Sequence, residues 1–248
     1  MKKYDVILIG TGQATGTMLP VFLEMGKKVA TVEKSRVGGT CVNWGCTPTK
    51  TLVAGARAAH MVRRAGDFGI QVSDFWVNFP AAMERQKRNR DQSNEAFAKW
   101  LDDTTDFYRA EASFVGEHEV QVGEETIHGE TIYIHTGATA RIPPIPGIEE
   151  VSYLDNKGIL SLEELPQHLL VVGGSYVGLE FSQIFRRFGS RVIVLERGPR
   201  IMSREDEDVA EEATRILGDE GIEIICNAQV ESLSPEGGVT VSATVDGR

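Results

Sequence analysis

The 248-residue sequence has only three cysteines, five histidines and no long apolar run, and each scarcity removes a class of protein. Three cysteines are too few for the disulfide framework of a small secreted domain. Two of them, Cys41 and Cys46, lie close together, which suits redox chemistry or metal binding better than a staple. The apolar stretch in MKKYDVILIG is far shorter than the roughly 20 residues of a membrane helix, and no small-residue cleavage site follows it. It reads as the first strand of a sheet, and a cytoplasmic location is expected. Basic excess is missing as well. Lys and Arg number 26 against 36 Asp and Glu, a formal charge of -10, which argues against nucleic-acid or anionic-membrane partners. The small cluster of Arg186, Arg187 and Arg191 fits a solvated helix end. No tract is of low complexity, and 41% hydrophobic with 25% charged residues is the balance of a soluble globular chain.

What is present is a repeat. Residues 6–9 (VILI) run into Gly10, Gly12 and Gly16, then a helical pattern, then an apolar segment 29–32 ending at Glu33. Residues 169–172 (LLVV) run into Gly173, Gly174 and Gly178, then a second helical pattern, then an apolar segment 191–195 ending at Glu196. One offset of 163 carries Gly10 onto Gly173, Phe22 onto Phe185, Gly26 onto Gly189 and Glu33 onto Glu196. Each copy reads as strand, glycine turn, amphipathic helix, strand and acidic residue, the β-α-β arrangement that binds dinucleotides. Its turn lets backbone N–H groups meet a pyrophosphate at the positive end of a helix, and its carboxylate accepts hydrogen bonds from a ribose. Both fingerprints depart from the pattern. Thr15 stands at the third glycine position of the first copy, and Ser175 at the middle position of the second.

Between the copies, helices are expected over Thr49–Ala65 and Phe79–Leu101. Residues 113–135, broken by Gly116, Gly123 and Gly129, suggest a small β-meander. The three prolines of Ile142–Gly147 (IPPIPG) mark the domain boundary. The expected fold is therefore α/β, with two Rossmann-like dinucleotide-binding domains over 1–145 and 146–248, the first carrying the inserted meander. A hairpin is expected over 228–244, and Cys226 is read as a buried strand residue.

Cysteines five apart can close a disulfide at the distorted start of a helix, where the dipole lowers a thiol pKa. A zinc site would need two further ligands at suitable spacing. Only Cys226 remains, and His60, His118, His128, His135 and His168 form no close pair, so no metal site is expected.

The segment Gly38–Lys50 (GGTCVNWGCTPTK) resembles the GGTCxNxGCxPxK signature of the class I pyridine nucleotide-disulfide oxidoreductases. That is the family of dihydrolipoamide dehydrogenase, glutathione reductase and mercuric reductase. Val6–Glu33 resembles its first FAD motif, Thr136-Gly137-Ala138 with IPPIPG its second, and VVGGSYVGLE (171–180) its nicotinamide-nucleotide motif. The resemblance implies a flavoprotein that passes electrons from NAD(P)H through FAD to a Cys41–Cys46 disulfide, then to a disulfide or metal-ion substrate. It implies that Gly10, Gly12, Gln13, Ala14, Glu33, Lys34, Gly39, Thr40, Thr136 and Gly137 serve FAD. Gly173, Ser175, Gly178, Glu196 and Arg197 would serve the nicotinamide nucleotide. Cys46 would lie against the flavin and Cys41 would meet substrate. Lys50 would sit near the flavin paired with Glu180, and Tyr176 would cover the nicotinamide entry. Glu196 favours NADH, because a carboxylate repels the extra phosphate of NADPH, while Arg197 and Arg200 nearby soften that preference.

Family chains are longer, adding a C-terminal dimerisation domain with an acid–base histidine. The chain is thus expected to be the N-terminal portion of a homodimeric enzyme and inactive alone. The alternative is a nucleotide-binding, redox-responsive module without turnover of its own.

Overall fold

A computed structural model describes residues 1–247. The chain forms two compact units, the first from Met1–Lys50 with Arg85–Ala140, the second from Thr51–Glu84 with residues 141 onward.

The first unit is built on β1 (Lys2–Ile9), followed by α1 (Gln13–Glu24), β2 (Val29–Val32), α2 (Gly39–Trp44) and the start of α3 (Cys46–Arg63). After α4 (Phe79–Thr104), whose last twenty residues belong here, come β3 (Asp106–Tyr108), β4 (Ala112–Phe114), β5 (Glu119–Val122) and β6 (Glu125–Ile134). All six strands form one sheet in the order β3-β2-β1-β6-β5-β4. β1 pairs in parallel with β2 (Val6 opposite Val29) and with β6 (Val6 opposite Thr131). Covered on both faces, β1 is apolar without alternation: Val6, Ile7, Leu8 and Ile9 are all buried. One face packs Leu19 of α1 and Leu101 of α4 with Val6 and Leu8, and the other packs Ile7 and Ile9 with Val120 and Ile127.

The expected meander forms, but not as a separate insert. β4, β5 and β6 are antiparallel neighbours, and β6 then continues as the parallel partner of β1. Gly129, read as a break, lies inside β6. A Cβ there would come within 2.7 Å of Ile7 Cδ1, so glycine is what admits the neighbouring isoleucine.

The second unit contains short helix α5 (Asn156–Ile159), β7 (His168–Val172), α6 (Tyr176–Phe188), β8 (Arg191–Leu195), α7 (Glu207–Asp219), β9 (Glu223–Ile225), β10 (Ala228–Ser234) and β11 (Thr240–Val245). β7, β8 and β9 make a parallel three-stranded sheet, and β10 and β11 form the expected hairpin. α6 is the largest single contributor to the core: Leu179, Phe181, Ile184, Phe185 and Phe188 pack with Leu52 and Ala56 of α3 and Phe79 and Met83 of α4. Cys226 follows β9 instead of lying in it, and it is partly buried. Glu196 N donates to Ile225 O and Asn227 N to Gly198 O, so the chain leaves the ladder one residue before Cys226.

Among the described residues, no helix is long and apolar enough to cross a membrane.

Candidate dinucleotide and dithiol sites

The two glycine turns are wired alike. Gly10 and Gly173 both adopt positive φ (104° and 108°), and their N–H groups donate to Val32 O and Leu195 O at 2.8 Å. In the first copy Glu33 Oε2 accepts from Thr11 N at 3.0 Å and Thr11 Oγ1 at 2.8 Å, while Oε1 accepts from Ser35 N at 2.9 Å. In the second, Glu196 Oε2 accepts from Gly174 N and Oε1 from Gly198 N, both at 2.7 Å. These donors are related by the offset of 163, as the carboxylates are. Each acidic side chain is thus held at the mouth of its turn, at the end of the second strand.

Both helices that follow begin without a side-chain cap. Gly12 has no side chain to offer, and Ser175 makes no capping hydrogen bond to α6. First-turn N–H groups left uncapped at the positive end of a helix are what an anion needs. Gln13 is exposed there and Ala14 half-buried.

The third glycine position separates the copies. A Cβ on Gly178 would stand 2.4 Å from Gly173 O, closer than any real carbon approaches a carbonyl, so α6 rests directly on its turn. Thr15 occupies the equivalent place on α1, fully buried, and donates its hydroxyl to Gly10 O at 2.8 Å. A threonine at that spot forces α1 to stand off further than α6 does. The same hydroxyl lies 2.8 Å from His135 Nε2, at the end of β6.

The cysteine segment is seated on the first turn. Gly38 N donates to Thr11 O, and a Cβ on Gly39 would stand 2.8 Å from the Gly12 Cα. α2 carries Cys41, the chain breaks helix at Gly45, and α3 starts on Cys46. Pro48 falls in the first turn of α3, where no N–H is required. The two thiols are within hydrogen-bonding reach, both free, with Cys41 half-buried and Cys46 exposed. Burial pushes the Cys41 thiol up to about 11, reinforced by the hydrogen bond and field of Cys46; only the Cys46 backbone N–H pulls it down. The helix start therefore does not lower the Cys41 pKa as expected from sequence, because desolvation and a neighbouring acid outweigh one amide. Lys50, exposed, lies one helical turn beyond Cys46 on α3.

Asn43 fastens this segment from inside. Fully buried, it donates to Val37 O at 2.7 Å and Gly39 O at 2.9 Å, and accepts from Arg36 Nε and Asn94 Nδ2. The Arg36 guanidinium also binds Asp91, and Arg90 lies over the Trp44 ring at 5.6 Å. The Arg90 guanidinium, with Arg36, holds the Asp91 carboxyl below the usual carboxylate range against the opposing effect of burial.

Other expected residues fall as follows. Lys34 is paired with Glu111 at 2.9 Å. Thr40, Thr136 and Gly137 are exposed in the first unit. In the second, Tyr176 is 75% exposed, Glu180 is half-buried one turn along α6, and Arg197 is exposed beside Glu196. His118 and His128, taken as unpaired in the sequence, stack at 5.7 Å because the β5–β6 register sets Glu119 opposite His128. Sequence reasoning passed over Thr11, Asn43, Asn94 and His135. His135 adjoins the selected Thr136, and Asn43 sits between the cysteines, so proximity was the available signal. Asn94, on a distant helix, left none.

The glycine cradle tests the fit to FAD: the space at Gly12, the uncapped α1 and the carboxylate of Glu33 are the features an adenosine pyrophosphate requires.

Residues 4–248 match the family described as pyridine nucleotide-disulphide oxidoreductase. The chain is 40% identical over 243 residues to the probable pyridine nucleotide-disulfide oxidoreductase RclA of Escherichia coli K12, covering 94% of this chain and 51% of that protein. It is 33% identical to a mercuric reductase of Bacillus cereus, covering 95% of this chain and 38% of that one. The structure of a Cu(II) complex of the HOCl-induced flavoprotein disulfide reductase RclA from Escherichia coli superposes with a TM-score of 0.83 at 37% identity, over 96% of this chain and 52% of that one. The chain thus spans about half the length of these relatives.

Proposed function

The chain belongs to the pyridine nucleotide-disulphide oxidoreductases, a family that binds FAD and pyridine nucleotides, and on that premise we propose that it carries the flavin, nucleotide and dithiol sites of a flavoprotein disulfide oxidoreductase. The observation that carries this reading is the juxtaposition of two thiols in hydrogen-bonding reach with a glycine turn built for a dinucleotide.

FAD, when bound, supplies hydride acceptance from a nicotinamide and electron transfer to sulfur. The chain's own residues do the rest. Gly10 makes the turn, Gly12, Gln13 and Ala14 present backbone N–H groups to the pyrophosphate, Glu33 holds the ribose, and Gly39, Thr40, Thr136 and Gly137 line the approach. Lys34, turned aside to Glu111, would reach the nucleotide only by leaving that partner. Gly173, Ser175, Gly178, Glu196 and Arg197 serve the nicotinamide nucleotide, with Glu196 favouring NADH. Lys50 places positive charge one turn from Cys46, while Glu180 and Tyr176 serve the nicotinamide side. Division of labour follows the ligands: residues 1–145 for flavin, 146–248 for nucleotide.

With the pair reduced, the Cys41 thiol loses its proton, and the resulting thiolate attacks an oxidised substrate. For a disulfide substrate, one S–S bond breaks and a Cys41–substrate disulfide forms, releasing one thiol. Cys46 then displaces the second thiol and closes Cys41–Cys46, so two electrons have left the protein. The raised Cys41 pKa makes the first step slow in the isolated dithiol, and positive charge near the pair is what would accelerate it. A metal-ion acceptor is equally compatible with two adjacent sulfurs; RclA crystallises as a Cu(II) complex. Substrate turnover and a homodimer are proposed for the full-length protein.

Equilibration of the purified chain in glutathione redox buffers, read by alkylation and mass spectrometry, tests the pair. We expect reversible loss of two thiols, abolished in Cys41→Ser and Cys46→Ser and kept in Cys226→Ser. A pair that stays reduced across the whole range, or that exchanges through Cys226, overturns the reading.

A further inference from the structure

The third-glycine defect of the first copy points to a residue that the family motif does not include. Thr15 Oγ1 has one proton, and at 2.8 Å from the Gly10 carbonyl it must donate there, since a carbonyl oxygen cannot. The contact from the same oxygen to His135 Nε2, also 2.8 Å, then requires that nitrogen to be the donor. His135 is thereby fixed as the Nε2–H tautomer, anchored from behind by α1. Its other nitrogen is turned to the glycine turn: Nδ1 lies 3.4 Å from where a Cβ on Gly10 would stand and 4.0 Å from one on Gly12. That second position is the space kept clear for a phosphate in this fold.

We propose that His135 is a positioning residue for the dinucleotide pyrophosphate, taking up one proton at Nδ1 when the anion binds and presenting that N–H to it. The inference rests on the reading that FAD occupies this turn. Threonine at position 15 and histidine at 135 act as one device. The hydroxyl replaces the close packing that Gly178 gives the other copy and orients an imidazole that can supply the positive charge the turn otherwise lacks.

The groups around the ring fix the direction of the pH dependence. Burial lowers the His135 pKa below its usual 6.5, while its own backbone carbonyl and the Glu33 carboxylate favour protonation. Glu33, at the end of β2, is the charged group whose field reaches the ring. Gly10 and Gly12 on the turn and Thr15 on α1 contribute only dipoles, and the adjacent Tyr133 ring packs on Phe22 at 5.5 Å. Burial therefore favours the neutral ring in the free protein. A bound diphosphate raises its pKa, so affinity must climb as pH falls from the liganded pKa towards the free one, and proton uptake must accompany binding.

The test uses the full 248-residue chain freed of flavin, titrated with FAD by flavin fluorescence between pH 8.5 and 5.5, with calorimetry in buffers of different ionisation enthalpy. The expected result is an affinity that rises about tenfold per pH unit within the window, with proton uptake, and a flat response in His135→Gln. Thr15→Val should keep FAD binding but lose most of the slope, since the imidazole is no longer oriented. If His135→Gln does not fold, the imidazole C–H resonances of the unmodified chain, with and without FAD, give the same answer through a rise in the His135 pKa. Equal slopes in the unmodified chain and His135→Gln, or an unmoved His135 resonance with FAD bound, overturn the role of His135 alone. Failure of FAD to bind at any pH overturns the flavin reading and this inference with it.

Discussion

In both β-α-β copies the carboxylate at the end of the second strand reaches back to the turn, and the donors it finds are the same two backbone positions. The helices between them have diverged. α6 buries Leu179, Phe181, Ser182, Ile184, Phe185 and Phe188, whereas α1 buries only Thr15 and Leu19 and carries Pro20 in its middle. Where α6 ends in Arg186 and Arg187, both bonded to Glu220, the equivalent residues of α1 are Leu23 and Glu24, which make no such anchor. The backbone geometry of the turn is the same in both copies while the supporting helix differs. The turn needs particular N–H directions, but many packings can hold it in place.

The largest test of this contrast compares equivalent phenylalanines. Phe185 is fully buried, and Phe185→Ala should cost about 3–5 kcal/mol in urea unfolding. Phe22→Ala, at a half-exposed position, should cost less than half of that. Equal costs would show that α1 is as deeply packed as α6.

Next comes an exchange at the third glycine. Gly178→Thr places a Cβ against Gly173 O at a distance no real structure tolerates and should destabilise by about 2–3 kcal/mol. Thr15→Gly, which removes two hydrogen bonds without a clash, should cost about 1–2 kcal/mol. A neutral Gly178→Thr would mean that α6 can stand off its turn as α1 does.

A smaller effect is expected for Glu33→Ala and Glu196→Ala. Each strands two or three donors that open readily to water, so each should cost about 1 kcal/mol. Matching values would confirm that the wiring is equivalent, and hydrogen exchange at Thr11 and Gly174 reads it locally.

The smallest is a pH signature at the α6 anchor. Burial raises the Glu220 carboxyl, but hydrogen bonds and charge from Arg187, with His60 and Gln183, hold it below its ordinary 4.5. A depressed carboxyl stabilises the fold above pH 4.5 and loses that contribution as pH falls through its folded pKa. Desolvation, aided by Arg187, Arg64 and Arg63, lowers His60 below 6.5 against the pull of Glu220, so stability also declines as pH drops below 6.5. Stability to urea should therefore fall in two steps as pH is lowered. His60→Gln should remove the upper step and Glu220→Gln the lower.

The repeat was legible because both copies preserve the strand run, the glycines and the acid at one offset, and the strands fell where the apolar runs predicted. Helix α3 starts three residues before the expected Thr49, and Pro48 lies in its first turn, where no N–H is required. α4 runs on to Thr104 past the expected Leu101, with Thr104 and Thr105 hydroxyls satisfying carbonyls of its last turn. The meander's attachment to β1 was not readable, because it depends on pairing across more than 120 residues. Cysteines, glycines and acids of the site could be picked out by type and spacing. Asn43 and His135 could not, because their parts come from neighbours on other elements, Asn94 on α4 and Thr15 on α1.

The near-contact of Gly39 with Gly12 has a mechanical consequence. Two backbones pressed together without an intervening side chain leave no cushion between the start of α2 and the first glycine turn. Oxidation, alkylation or mutation at the thiols should therefore be felt at the turn. Retention of the nucleotide and the geometry of the sulfur pair should accordingly fail together.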